Sequence, residues 1–183
     1  MPGPTPEQTL ANRALEATAK VVSTAILDFE KWLVAGYGAA IGLAVPKLSE
    51  IAGAIGTGRL QVVMLLLSLA VFLSVFVLLL GTQIAAGANT GDEIRKVMPE
   101  ILETVKRAER GIDMAAWRSE QEKGLWWPAI AGFRWAMRRT ETGDWVAPGR
   151  LVAKLSQLQA YLMIVQIFLG ASAGVVAANG VKL

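Results

Sequence analysis

Cysteine and histidine are both missing from this sequence. Without cysteine there is no disulfide and no thiolate nucleophile. Without histidine the side chain best suited to proton transfer near neutral pH is gone, and most zinc sites lose their ligands with the pair. Charge is also scarce, at 18 % of residues against about 25 % in ordinary soluble domains. The opening stretch MPGPTPEQTLANR lacks a basic segment followed by an apolar one, so no cleavable signal peptide is expected. The glycines of IGTGR and NTGDE lack the Lys-Ser/Thr of a phosphate loop. No nucleophile–base pair or metal cluster can be argued from spacing, so neither an enzyme nor a cofactor is expected.

What is present is apolar. The hydrophobic fraction is 54 % over 183 residues, above the roughly 45–50 % of soluble domains. Residues 61–86, QVVMLLLSLAVFLSVFVLLLGTQIAA, carry no formal charge and are hydrophobic on every side, where a surface helix has one apolar stripe. About 20 such residues span the hydrocarbon layer as a helix, and a chain this short has little material to wrap a greasy central helix in water. Residues 158–178, LQAYLMIVQIFLGASAGVVAA, are again uncharged and stop at Asn-Gly, a common helix end. A third stretch, residues 32–45, is short. It reads as a short span, a re-entrant segment or the end of a longer helix beginning near Pro6.

Basic residues suggest an orientation. Residues 88–156 hold twelve of the eighteen Lys and Arg, which marks that segment as cytoplasmic. If residues 32–45 cross, Arg13, Lys20 and Lys31 join it, leaving Lys47, Arg59 and Lys182 outside. Three crossings therefore fit best, in a multi-pass protein of the cell inner membrane; the Ala/Gly-rich, Cys-free composition suggests a prokaryotic source. The same segment carries ten carboxylates beside its twelve bases, which argues against nucleic acid as a partner. The expected fold is an all-α integral membrane protein with two long spans and one short one, plus cytoplasmic amphipathic helices. Its expected segments are an N-terminal amphipathic helix (1–31), a two-span membrane segment (32–87), a cytoplasmic or interfacial helical segment (88–156), and a last transmembrane helix with its tail (157–183).

Two amphipathic stretches stand out. Leu15, Val22, Ile26, Phe29 and Leu33 align on one face of residues 7–31. Ile94, Val97, Met98, Ile101, Val105, Ala108 and Ile112 do so in residues 92–112, a helix with two candidate starts, Asp92 and Pro99. In GLWWPAIAGFRWAMRR, helical periodicity from Pro128 onward aligns Trp126, Ile130, Phe133 and Met137. The aromatics and bases there suit a headgroup layer, so Trp126, Trp127, Arg134, Trp135, Arg138 and Arg139, with Trp32, are candidate interfacial residues. The plainer reading is packing against other helices with the arginines in water. The stretch LDFEKW, with Asp28, Glu30 and Lys31 beside Trp32, reads as a hydrated helix end.

Within the spans, Gln159, Gln166, Gly170 and Gly174 share a helical face, and Gly38 with Gly42 repeats the small-xxx-small spacing. Such faces suit close helix contact, either within the chain or between copies. Neither long span holds an acidic or basic residue, which argues against an ion-coupled transporter. The leading expectation is a homo-oligomer in the lipid bilayer forming a pore or membrane-perturbing assembly, of the channel, lysis or defence-effector type, with a cytoplasmic helical collar. The alternative is a non-catalytic anchor or scaffold that docks a soluble cytoplasmic protein through Ile101 and Val105.

Overall fold

A computed structural model of the protein describes the backbone of residues 4–107, 114–123 and 129–180, and the side chains of these apart from 90–95, 98, 101, 102, 104–107, 114, 115, 117, 118 and 121. The described chain is all-helical: α1 (Pro6–Ala44), a single 3-10 turn (Val45–Lys47), α2 (Leu48–Ile55), α3 (Thr57–Arg107), α4 (Met114–Lys123), α5 (Ala129–Glu141) and α6 (Ala147–Ala178). Three stretches are long and apolar enough to cross a membrane, Pro6–Ile55, Thr57–Asn89 and Ala147–Ala178. Residues 32–45 thus belong to the end of a longer helix that opens at Pro6.

Local chemistry sets several of these ends. Ahead of Pro6, the Thr5 amide donates to Gln8 Oε1 at 3.0 Å and the Gln8 amide donates to Thr5 Oγ1 at 3.3 Å. That reciprocal pair satisfies donors which a helix start otherwise leaves bare. Pro46 has no amide to continue the α1 ladder, and its ring crowds the preceding turn. The helix accordingly gives way to the 3-10 turn at Val45. Gly56 closes α2 at φ +88°, its amide donating to Ala52 O.

One expected boundary is absent. Residues 92–112 do not form a helix of their own: α3 runs unbroken for 51 residues and holds Pro99 in its interior. A proline deletes one ladder hydrogen bond and adds a local clash, and the helical turns on either side persist across that gap.

Contacts divide the chain into two compact units, Met1–Lys20 with Gln83–Lys154, and Val21–Thr82 with Leu155–Leu183. In the first, Asn12 Oδ1 accepts the Gly149 amide at 2.8 Å, and Lys20 Nζ donates to Asn89 Oδ1 at 2.7 Å. Helix α5 turns Ala136 fully inward and half-buries Ile130, Phe133 and Met137, the period expected of one helix face. Arg134, Arg138 and Arg139 point out. A turn through Asp144, which pairs with Arg150 at 3.0 Å, leads into α6.

The second unit carries most of the apolar helix. Its inward positions recur at alternating steps of three and four: Ser23, Ile26, Glu30, Leu33 and Tyr37 on α1; Leu60, Val63, Leu67, Ala70, Ser74, Val77 and Gly81 on α3; Ser156, Gln159, Met163, Gln166, Gly170 and Ala173 on α6. This average of 3.5 residues keeps one seam of each helix against its partners. Where α3 begins and α6 ends, Arg59 donates to Asn179 O at 3.0 Å.

The seam corrects the expected α1 face. Val22 and Phe29 are exposed, whereas Ser23 and Glu30 are buried. The search for an apolar stripe assumes water outside. The inward seam mixes apolar residues such as Ile26 and Val77 with small and polar ones, on helices long and apolar enough to cross a membrane.

Candidate functional site

The inward seams of the second unit bring together Glu30, Ser74, Gln159 and Gln166, of which Glu30 and both glutamines are 0 % exposed. Gln166 Nε2 donates to Glu30 Oε1 at 2.8 Å and to Ser74 Oγ at 2.7 Å, so one amide group ties α1, α3 and α6 together. The Ser74 hydroxyl in turn donates to Ala70 O at 3.3 Å. Tyr37 closes the cluster on α1, its hydroxyl donating to Gln166 O at 3.1 Å.

A second polar layer lies seven residues earlier on both α1 and α6, about 10 Å along the axes at about 1.5 Å per residue. There Gln159 Nε2 donates to Val77 O at 3.0 Å, and Ser23 is buried on α1. Four buried acceptor atoms lack a donor in this unit: Glu30 Oε2, Gln166 Oε1, Gln159 Oε1 and Ser23 Oγ. Buried polar atoms without partners are uncommon and costly.

Glycine lets the helices approach at these levels. A Cβ at Gly81 would stand 2.5 Å from a Leu27 methyl and 2.8 Å from Gln159 Nε2, and one at Gly170 would stand 2.5 Å from the Tyr37 hydroxyl. Glu30 therefore does not lie at a hydrated helix end, as the charged string LDFEKW suggests. Ser74, which shares the Gln166 amide with Glu30, lies fourteen residues into a charge-free run that extends from Leu60 to Gly91. Gln166 itself lies twelve residues beyond Lys154, the last charge before the second run. Spacing along one chain cannot reveal this, because the register between helices decides it.

The other expected residues are placed as follows. Gln159 and Gln166 are enclosed within a single chain, and Gly170 packs against Tyr37. Gly38, Gly42 and Gly174 are open, with no neighbouring atom within 4 Å of an added Cβ. Trp32 is 79 % exposed, two residues past Glu30. Gly38 and Gly42 share the outer face of α1 with Asp28, Lys31 and Ala35, all exposed. Asp28 and Lys31 form an ion pair at 2.7 Å whose side chains remain 64 % and 72 % exposed.

In the first unit, Trp135 lies beneath two cations, the Arg139 guanidinium 5.9 Å and the Lys154 ammonium 5.7 Å from its ring centroid. Arg134 pairs with Glu122 at 2.8 Å. The hydrogen bond that the guanidinium donates to that carboxylate, and then the carboxylate's charge, push the guanidinium further above its ordinary pKa. Arg138 joins Glu122, Arg134 and Met137 around an open cleft. Trp126 and Trp127 lie outside the described residues, as do the side chains of Ile101 and Val105. No protein-family model, curated protein or solved structure matches the chain.

Proposed function

We propose that this protein is an integral membrane protein that self-associates through the outer face of α1 and passes small polar species across the bilayer. The observation that carries this reading is the exposed Asp28–Lys31 pair. It lies within two residues of Glu30 on α1, level with Ser74 and Gln166 in the charge-free runs of α3 and α6. A charged side chain at the centre of a lone membrane helix costs about 2.5–3.5 kcal/mol on insertion scales. Lipid is thus a poor neighbour for this face, and water or another protein surface is a good one.

The same face carries Ala35, Gly38 and Gly42, which permit close approach by a second helix. Copies of α1 meeting there would set their Asp28 and Lys31 side chains around a shared polar axis, while the apolar residues on the remaining faces meet lipid. In this reading the polar helices α4 and α5 form a collar at one end.

Release of ions and dyes from liposomes holding the purified protein, measured beside its mass in detergent, tests the proposal. Release together with a defined multimer is expected. Gly38→Leu with Gly42→Leu should reduce the mass to that of the monomer and abolish release. A monomeric wild-type protein in a tight liposome overturns the reading.

A further inference from the structure

We infer that Glu30 Oε2 is a proton-binding site in the membrane interior. The inference shares with the proposed function the premise that the three helices cross a bilayer, and it does not depend on a pore.

Glu30 is 0 % exposed, and its Oε1 accepts from Gln166 while its Oε2 meets no donor. A carboxylate in an apolar interior is tolerated when it is paired with a cation or when it carries a proton. No cation is at hand. Residues 60–91 of α3 and 155–181 of α6 contain no Lys or Arg, and their one ionisable side chain, Tyr161, is 67 % exposed. On α1 itself, Lys31 is paired with Asp28 on an exposed face, and the Tyr37 hydroxyl is engaged with Gln166 O. A proton is the cation small enough to neutralise Glu30 without any added cavity.

The neighbours fit that ligand. Gln166 presents a second acceptor without a donor, its own Oε1, beside the carboxyl it serves. Protonated on Oε2, Glu30 carries no charge into the interior, while Gln166 Nε2 continues to hold Oε1. One helical heptad away, Ser23 Oγ and Gln159 Oε1 offer further unfilled acceptors.

A hydrophobic carbodiimide, dicyclohexylcarbodiimide, provides the test on the full-length protein in detergent. It reacts with a protonated carboxyl in apolar surroundings. The carboxyl proton passes to a carbodiimide nitrogen, the carboxyl oxygen adds to the central carbon, and acyl migration leaves a stable N-acylurea that mass spectrometry locates. Labelling at Glu30 is expected and is lost in Glu30→Gln, while a water-soluble carbodiimide with an amine modifies exposed carboxyls and spares Glu30.

Infrared spectroscopy reads the same proton without needing reagent access, through a carboxylic C=O band that disappears in Glu30→Gln. Modification of Glu30 by the water-soluble reagent, or absence of that infrared band across the pH range, overturns the inference. A labelled Glu30 in a protein whose liposomes stay tight would overturn the pore and leave this site standing.

Discussion

The side chains of Glu30 and Gln166, 136 residues apart in the chain, meet at 2.8 Å in the buried interior of the helices. The same amide nitrogen reaches Ser74, so a single side chain satisfies groups on two other helices. In a medium without water, hydrogen bonds of this type fix register as well as stability.

Removing the amide should therefore cost more than replacing the carboxyl. Gln166→Leu leaves the Glu30 carboxyl and the Ser74 hydroxyl without their donor, and is expected to destabilise the protein by about 1–3 kcal/mol. Glu30→Gln keeps an acceptor for Gln166 and should be nearly neutral. Reversible unfolding in mixed micelles with increasing dodecyl sulfate measures both. A cycle that combines Gln166→Leu with Glu30→Leu, each of which removes the contact, supplies the coupling energy, expected at about 1 kcal/mol for groups in direct contact. Strictly additive effects would count against the contact.

Close packing gives a second prediction. Gly81→Ala drives a methyl group toward Leu27 and Gln159 at distances that real contacts do not reach, so a loss of about 1–3 kcal/mol is expected from overpacking. Gly38→Ala adds the same methyl group in open space and should leave the unfolding midpoint of the isolated chain unchanged. Equal effects at both positions would refute the packing of α1, α3 and α6 described above.

These two predictions rest on features that differ in how far the sequence discloses them. The long apolar helices α3 and α6 are legible from runs without charge, because the cost of burying charge in lipid acts on each residue regardless of its neighbours. The inward face of α1 is not, since Ser23 and Glu30 look solvent-facing to any rule that sends polar groups toward water. A signal is present all the same: Ser23, Glu30 and Tyr37 recur at the seven-residue spacing that also separates Gln159 from Gln166. Even so, matching the two series requires the register between helices, and that is set by contacts such as Gly170 against Tyr37. The continuation of α3 through Gly91 and Pro99 runs against local propensity and could not be read from it.

The outer face of α1 yields a third prediction, made convenient by the absence of cysteine from the chain. Single cysteines at Ala35, Gly38 or Gly42 should form disulfide-linked dimers on mild oxidation in membranes, if copies meet along that face. Cysteines at Leu33 and Tyr37, on the inward seam, should not. Gel mobility without reductant reads the outcome directly. Cross-linking on the inward seam, or at every position alike, would contradict the assigned interface.

Depth within the bilayer supplies the last prediction and bears on all the others. A tryptophan beside charged residues is commonly an anchor at the headgroup layer, and Trp32 in LDFEKW has that appearance. Yet Trp32 lies two residues past Glu30, about 3 Å along the helix, and Glu30 is held level with Ser74 and Gln166 inside charge-free stretches. Trp135 stands instead beside Arg139 and Lys154, cations that suit phosphate-rich surroundings. In variants retaining one of the six tryptophans, lipids brominated deep in the acyl chain should quench Trp32 most. Lipids brominated near the glycerol backbone should quench Trp135 most. Shallow quenching of Trp32 would return Glu30 to the membrane surface, where water supplies its missing donor and neither an interior proton site nor a covered α1 face is needed.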